Sequence, residues 1–386
     1  TFSVDYPLSQ IEKDVERLIR PLQKHETLAS WDPSVAYKIY SKIVKPVEYM
    51  MTGKKNVVII PNGPLCWLPF EILVDSKAHE TKRFWSSSDS PSYLLEKYTF
   101  SYAESTYSIY LYRNKKTEKR PGWSLVAFGD PLFADADGSL EENPGARKVL
   151  SAIDSFQNTQ ARGNEFLRPL HDVRKEILEI TKILSGPTQS YLGRDATETL
   201  FRKADLSRYL YIHLGTYGIL PSGSGRFRQQ PSIVFSLYGD KESDGFLQLG
   251  EVFGLKLNAD LVVLSSVLTP GKNLNFASNG PFDLARAFLF AGADSMVIGS
   301  WQVNEEHSQR LLVEMYKNLK DLSKAEAIRK AKLSLLQSKG TSHPYYWGSY
   351  ILIGDWRSRF VSGTDHWEPE SVGFKGVSTW RKLFNM

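Results

Sequence analysis

Residues Leu261, Val262, Val263 and Leu264 form a short apolar run with no polar residue alternating through it. A strand buried on both faces of a parallel sheet reads this way, because helices cover the sheet on both sides. The run is followed by Ser265, Ser266 and Thr269. In open α/β sheets the residues just past the carboxyl ends of the strands line the ligand crevice, so small polar residues here mark a place for chemistry or binding. A second stretch repeats the pattern: Tyr209 to Ile212 reads as strand, and His213 to Gly218 as its polar mouth.

At 386 residues the chain is long for one core, which predicts two domains or two pseudo-equivalent halves. The net charge of +5 is spread thinly. Basic clusters occur only at Lys115–Arg120 and near Trp380–Lys382, too little for a nucleic-acid stripe, so nucleic acid is not an expected partner. The single cysteine, Cys66, excludes an internal disulfide and fits a reducing, cytoplasmic compartment as a buried structural thiol. No run approaches the ~20 apolar residues of a membrane span, and no signal peptide is visible. The chain opens at Thr1 within sequence that already reads as folded, as a fragment of a longer protein would.

Helical spacing of apolar residues predicts helices over 6–24 and 33–51, packed on the sheet. Asn56–Pro61 reads as a first buried strand, with Pro69 opening a helical turn after it. Residues 75–91 are polar and read as a surface loop. Tyr98, Phe100 and Tyr102 alternate as in a half-buried strand, Ser105 caps a helix running to Lys115, and Trp123–Asp130 is a further strand. The predicted organisation is N-terminal helices over 1–55, a first half over 56–130 forming an α/β unit of its own, a linker over 131–166, a second half over 167–356 and a tail over 357–386. In the second half, helices are expected after His171, which reads as a solvated cap residue, and from Thr197. A strand at Ser232–Leu237 and a helix at Leu249–Leu255 precede the central apolar run.

Several stretches together resemble the CHAT family of caspase-type cysteine peptidases. They are Leu68-Pro-Phe-Glu71, His213-Leu-Gly, Leu264-Ser-Ser, Leu284-Ala-Arg-Ala-Phe-Leu-Phe-Ala-Gly-Ala293, Ser295-Met-Val-Ile-Gly-Ser-Trp301 and Pro344-Tyr-Tyr-Trp347. The resemblance runs from Val57 to Gly354. It implies a caspase-like α/β three-layer sandwich: a mostly parallel sheet, helices on both faces and two pseudo-equivalent halves.

The resemblance also locates the site. Tyr217 stands where the family carries its catalytic His, Val267 where it carries its nucleophilic Cys, and Leu268 where an acidic residue usually sits. The main-chain N–H groups of Gly218 and Val267 take the oxyanion-hole positions, beside a groove able to hold an extended peptide by strand addition. Valine offers neither a lone pair nor a proton, and a phenol of ordinary pKa ~10 is a poor proton donor at neutral pH. The expected protein is therefore a pseudoprotease: a regulatory module that binds a protein or peptide and serves an upstream helical-repeat or sensor region. No cofactor and no metal is expected.

The rival is a hydrolase with a relocated nucleophile, Ser265 or Ser266. Ser266 points to the opposite face from Val267, Ser265 lies about 6–7 Å deeper, and His213 lies about 13 Å back from Tyr217. His213 then reads as a paired structural residue beneath the site. The pocket is expected to be apolar, aromatic or closed, with Tyr217, Leu268 and Trp301 among its walls and His213, Ser265 and Ser266 as further candidates.

Overall fold

The computed structural model describes residues 3–23, 25–76, 91–115, 121–133, 167–220, 230–268, 274, 276 and 278–357, without side-chain placement for 25–27 and 268. The expected loop at 75–91, the linker over 131–166, Thr269 and the tail over 357–386 therefore fall wholly or largely outside the described residues.

Among the described residues, ten strands share one sheet. They are β1 (Asn56–Ile59), β2 (Thr99–Tyr102), β3 (Trp123–Gly129), β4 (Thr188–Leu192), β5 (Tyr209–Ile219), β6 (Ser232–Val234), β7 (Phe246–Gln248), β8 (Leu261–Leu268), β9 (Ser295–Gly299) and β10 (Tyr350–Gly354). The order is β1-β2-β10-β9-β8-β5-β3-β4, with β6 and β7 branching from β5. All neighbours along the path are parallel except β9 and β10. The carboxyl ends of β3, β4, β5, β8 and β9 therefore gather at one rim.

The helices are α1 (Leu8–Ile19), α2 (Pro33–Ile43), α3 (Leu94–Lys97), α4 (Thr106–Asn114), α5 (Val173–Ile183), α6 (Glu198–Lys203), α7 (Leu249–Phe253), α8 (Pro281–Phe290), α9 (Glu305–Asn318), α10 (Lys324–Leu336) and α11 (Pro344–Trp347). Several begin where the chain supplies a cap. Ser105, Thr197, Asn304 and Ser323 each accept a backbone N–H of the first turn, and Glu326 completes a capping box with Ser323.

Helices α5 and α9 lie over one face of the sheet, and α6 and α8 over the other. Two paired glycines set the first of these layers. Gly129 of β3 and Gly215 of β5 are register partners, and a Cβ on either would run into Val173 and Ile177 of α5. On the other face, a Cβ at Gly218 would stand 2.5 Å from Cδ2 of Leu264 and 3.4 Å from Cδ1 of Leu284 in α8. The chain is thus a three-layer α/β sandwich with a mostly parallel sheet.

Several expectations are corrected. The strands of residues 56–130 do not form a unit: β1 and β2 lie at one edge, β3 near the other, and four strands from later in the chain separate them. Asn56–Ile59 is a half-exposed edge strand, while Thr99–Tyr102 is buried throughout, because burial follows place in the sheet order. The strands β5 and β8 continue through their expected polar mouths to Ile219 and Leu268.

Buried ion pairs tie α10 to the 70–72 turn and to the residue before β8. Lys332 Nζ lies 2.7 Å from Glu71 Oε1, and Lys324 Nζ 2.6 Å from Asp260 Oδ1. The hydroxyl of Tyr102 donates to the other oxygen of Glu71. The Leu-Pro-Phe-Glu stretch is thereby anchored through its glutamate. No helix among the described residues is long and apolar enough to cross a membrane.

Candidate functional site

The tips of β5 and β8 are neighbours. Gly218 pairs with Val267 and Ile219 with Leu268, after a register shift between Leu214 and Tyr217 that sets Tyr217 opposite Ser266. On its other side Gly218 pairs with Ile233 of β6. Both edges of the β5 tip are occupied, so strand addition at Gly218 has no open edge among the described residues, while the β8 tip that carries Val267 pairs with β9 only as far as Leu264.

Tyr217 is 1% exposed. Its hydroxyl donates to the main-chain oxygen of Arg168 at 3.2 Å, and its ring packs against Phe133 with centroids 5.6 Å apart. Burial, reinforced by the charge of Glu305, pushes the phenol well above its ordinary value. The side chain is a weaker acid than a free tyrosine. Val267 is also buried, with Cγ2 at 3.8 Å from where a Cβ on Gly299 would stand.

A cleft of about 740 Å³ opens at this rim. Its walls come from Arg168, His171 and Asp172 before α5, from Tyr217, from the 302–306 segment after β9, and from Gln23 and Tyr345. Two ties hold the 167–172 segment against the rim. One is the Tyr217 bond to Arg168; the other runs from the Asp172 N–H to Oε2 of Glu305 at 2.9 Å. Glu305 opens α9, where a carboxylate favours the helix N-terminus. Burial raises its pKa, opposed by the hydrogen bond from Asp172.

The expected apolar or closed pocket is corrected on this point. The lining is largely polar and charged, because it is built from a helix start and a connecting segment. Trp301 is not part of it: its ring is buried, and Nε1 donates to the Tyr345 oxygen at 3.1 Å. Ser265 is not part of it either. Its main-chain oxygen accepts from Tyr350 and Ser308, while its own buried Oγ has no hydrogen-bond partner among the described residues. Ser266 is half-buried and absent from the lining, and the side chain of Leu268 lies outside the described residues.

His213 lies inside the sheet and not in a mouth. Nε2 is 2.8 Å from Glu176 Oε1, and Nδ1 is 3.3 Å from the Tyr316 hydroxyl. Both ring nitrogens are engaged by helices α5 and α9, so the ring is tied beneath the rim. Cys66 is buried in the Gly63–Trp67 turn, with Sγ 4.0 Å from Asn279 Oδ1, and burial lifts its thiol to about 11. It is not a thiolate at neutral pH. Among the described residues no cluster of three His, Cys, Asp or Glu side chains is placed to hold a metal ion.

Arg168, Asp172 and residues 302–306 were not singled out as site residues in the sequence. A signal was present in Asn304-Glu305-Glu306, a helix start with acidic residues directly after a buried strand, which places carboxylates at a carboxyl-end rim.

Comparison with known proteins places this geometry in context. Human Tetratricopeptide repeat protein 28 is 24% identical over 352 residues, 82% of this chain but only 13% of that protein. Among solved structures, the Arg-specific cysteine proteinase gingipain R aligns at a TM-score of 0.42 and 10% identity, over 91% of this chain and 75% of that one. The Saccharomyces cerevisiae separase–securin complex aligns at 0.41 and 12%, over 91% and 23%. The CHAT domain description matches residues 33–355, and the chain belongs to the CHAT domain family.

Proposed function

We propose that this chain is a pseudoprotease, a CHAT domain that binds a protein or peptide without cutting it. The observation that carries the reading is the state of Tyr217 at the tip of β5. Its buried phenol is raised in pKa and spent on a main-chain oxygen, one register position from the strand tip that carries Val267. A caspase-type reaction needs a thiolate and an imidazole of pKa near the working pH. Neither residue type stands at these two positions.

On this reading the ligand lies in the cleft and is recognised by side chains, with Arg168, His171 and Asp172 facing it from one wall and Asn304, Glu305 and Glu306 from another. The Gly218 and Val267 backbone, at the oxyanion-hole positions, serves the sheet ladder. The domain acts as a regulatory module attached to other parts of a longer protein. An upstream helical-repeat region, of the kind that the name of the human relative indicates for that protein, fits this role.

A displayed random peptide library tests the reading. Selected peptides are expected to come back intact by mass spectrometry, and to lose binding in Arg168→Ala and Glu305→Ala variants. Selected peptides that are cut, or that bind equally to both variants, contradict it.

A further inference from the structure

The ring of Tyr217 touches the chain on both sides of residues 134–166. Phe133, directly before that stretch, packs its ring at 5.6 Å. Arg168, just after it, accepts the hydroxyl at 3.2 Å. One side chain thus joins the end of β3, the tip of β5 and the segment that forms a wall of the cleft. We infer that Tyr217 is a positioning residue, a latch that fixes the 167–172 strap and couples the ends of the connector to the cleft.

The chemistry of the residue suits that task. A phenol carries its donor on a long rigid ring, so it packs through the ring and donates from its far end. Burial keeps the proton on the oxygen, and a latch that must donate to a carbonyl needs its proton. Histidine has a shorter reach, and valine and leucine offer no donor.

The strap has further attachments that set how much the latch can contribute. Leu167 and Leu170 are buried, and the Asp172 N–H donates to Glu305. The hydrophobic contacts hold the strap to the fold, and the two polar ties fix its path. His171, which stands between those ties, and Asp172, which makes the second, then face the cleft in one arrangement. Loss of the Tyr217 bond is expected to loosen the strap without unfolding it.

The role of the cleft in binding rests on the reading above and fails separately, in the peptide selection. The latch is tested without any ligand. Hydrogen–deuterium exchange by mass spectrometry is measured on the whole chain and on Tyr217→Phe, which keeps the packed ring and removes the hydroxyl with its bonds to Arg168 and Gln302. Peptides covering 167–176 are expected to exchange about two- to tenfold faster, as the loss of one ordinary hydrogen bond would give. Peptides from 209–215 and 261–265 are expected to hold their rates. A Glu305→Ala variant should speed exchange at Asp172, while the Tyr217 tie stays. Unchanged exchange over 167–176 in Tyr217→Phe overturns the latch. Equal acceleration across the core strands also overturns it, since Tyr217 would then be core packing alone.

Discussion

Gly218 and Val267 are direct register partners at the ends of two parallel strands, although forty-eight positions lie between them in the chain. Their adjacency brings the tip that carries Tyr217 and the tip that carries Val267 to one rim of the sheet. The two positions read from sequence as a degenerate catalytic pair therefore lie on neighbouring strand tips. One strand carries an extra residue there, so that Tyr217 falls opposite Ser266.

Beneath that rim, Glu176 and His213 form a buried contact at 2.8 Å. Glu176→Ala leaves an imidazole nitrogen buried with no partner. The expected loss of stability is about 1–3 kcal/mol, with a smaller loss for Glu176→Gln, which keeps an acceptor. Urea denaturation checks this, and an unchanged midpoint for the alanine variant contradicts it.

Lys332 and Glu71 meet at 2.7 Å with both side chains almost wholly buried. Lys332→Met removes one charge and strands the other beside Tyr102. The expected cost is about 3–5 kcal/mol, since a lone buried carboxylate has lost its compensation. Adding Glu71→Gln should recover part of that loss. A double variant no more stable than Lys332→Met alone would show that the carboxylate was not the source of the cost.

Glu198 supplies a pH dependence. Burial, then the charges of Glu251 and Asp244, raise its carboxyl to about 7, while Arg202 and the Gly245 N–H pull the other way. An unfolded glutamate ionises near pH ~4.3. The folded state therefore holds the proton more tightly: its contribution to stability is complete below that value and is lost as pH rises through about 7. Glu198→Gln keeps an acceptor for Gly245 and carries no charge. Its melting temperature is expected to fall less than that of the parent between pH 5 and pH 8. Parallel curves for the two proteins contradict the assignment.

The central strand was legible because Leu261–Leu264 needs cover on both faces, and only a layered α/β fold provides it. Its last four residues were harder to read, since Ser265 is a polar residue buried inside a strand. Ser308 and Tyr350, which donate to its main-chain oxygen, lie far along the chain. His213 reads as a paired structural residue, but its partners come from two helices and nothing beside it in sequence announces them.

Strand β4 has no signature in the sequence, because Thr188–Leu192 lies at the sheet edge, half-buried and without an apolar run. Burial of β1 and β2 was exchanged because sheet order, which local pattern does not encode, decides which strand is an edge. The cleft walls were missed because they come from a strap and a helix start, and only folding brings these to the rim beside Tyr217.

The most direct measurement incubates the unmodified chain with a diverse peptide library and reads every new terminus by mass spectrometry. No cleavage above the buffer control is predicted, because the strand tips present a valine and a protonated, latched phenol. Cleavage by the parent chain that disappears in a Ser265→Ala or Ser266→Ala variant would contradict the account, since a working nucleophile would then exist at the tip of β8.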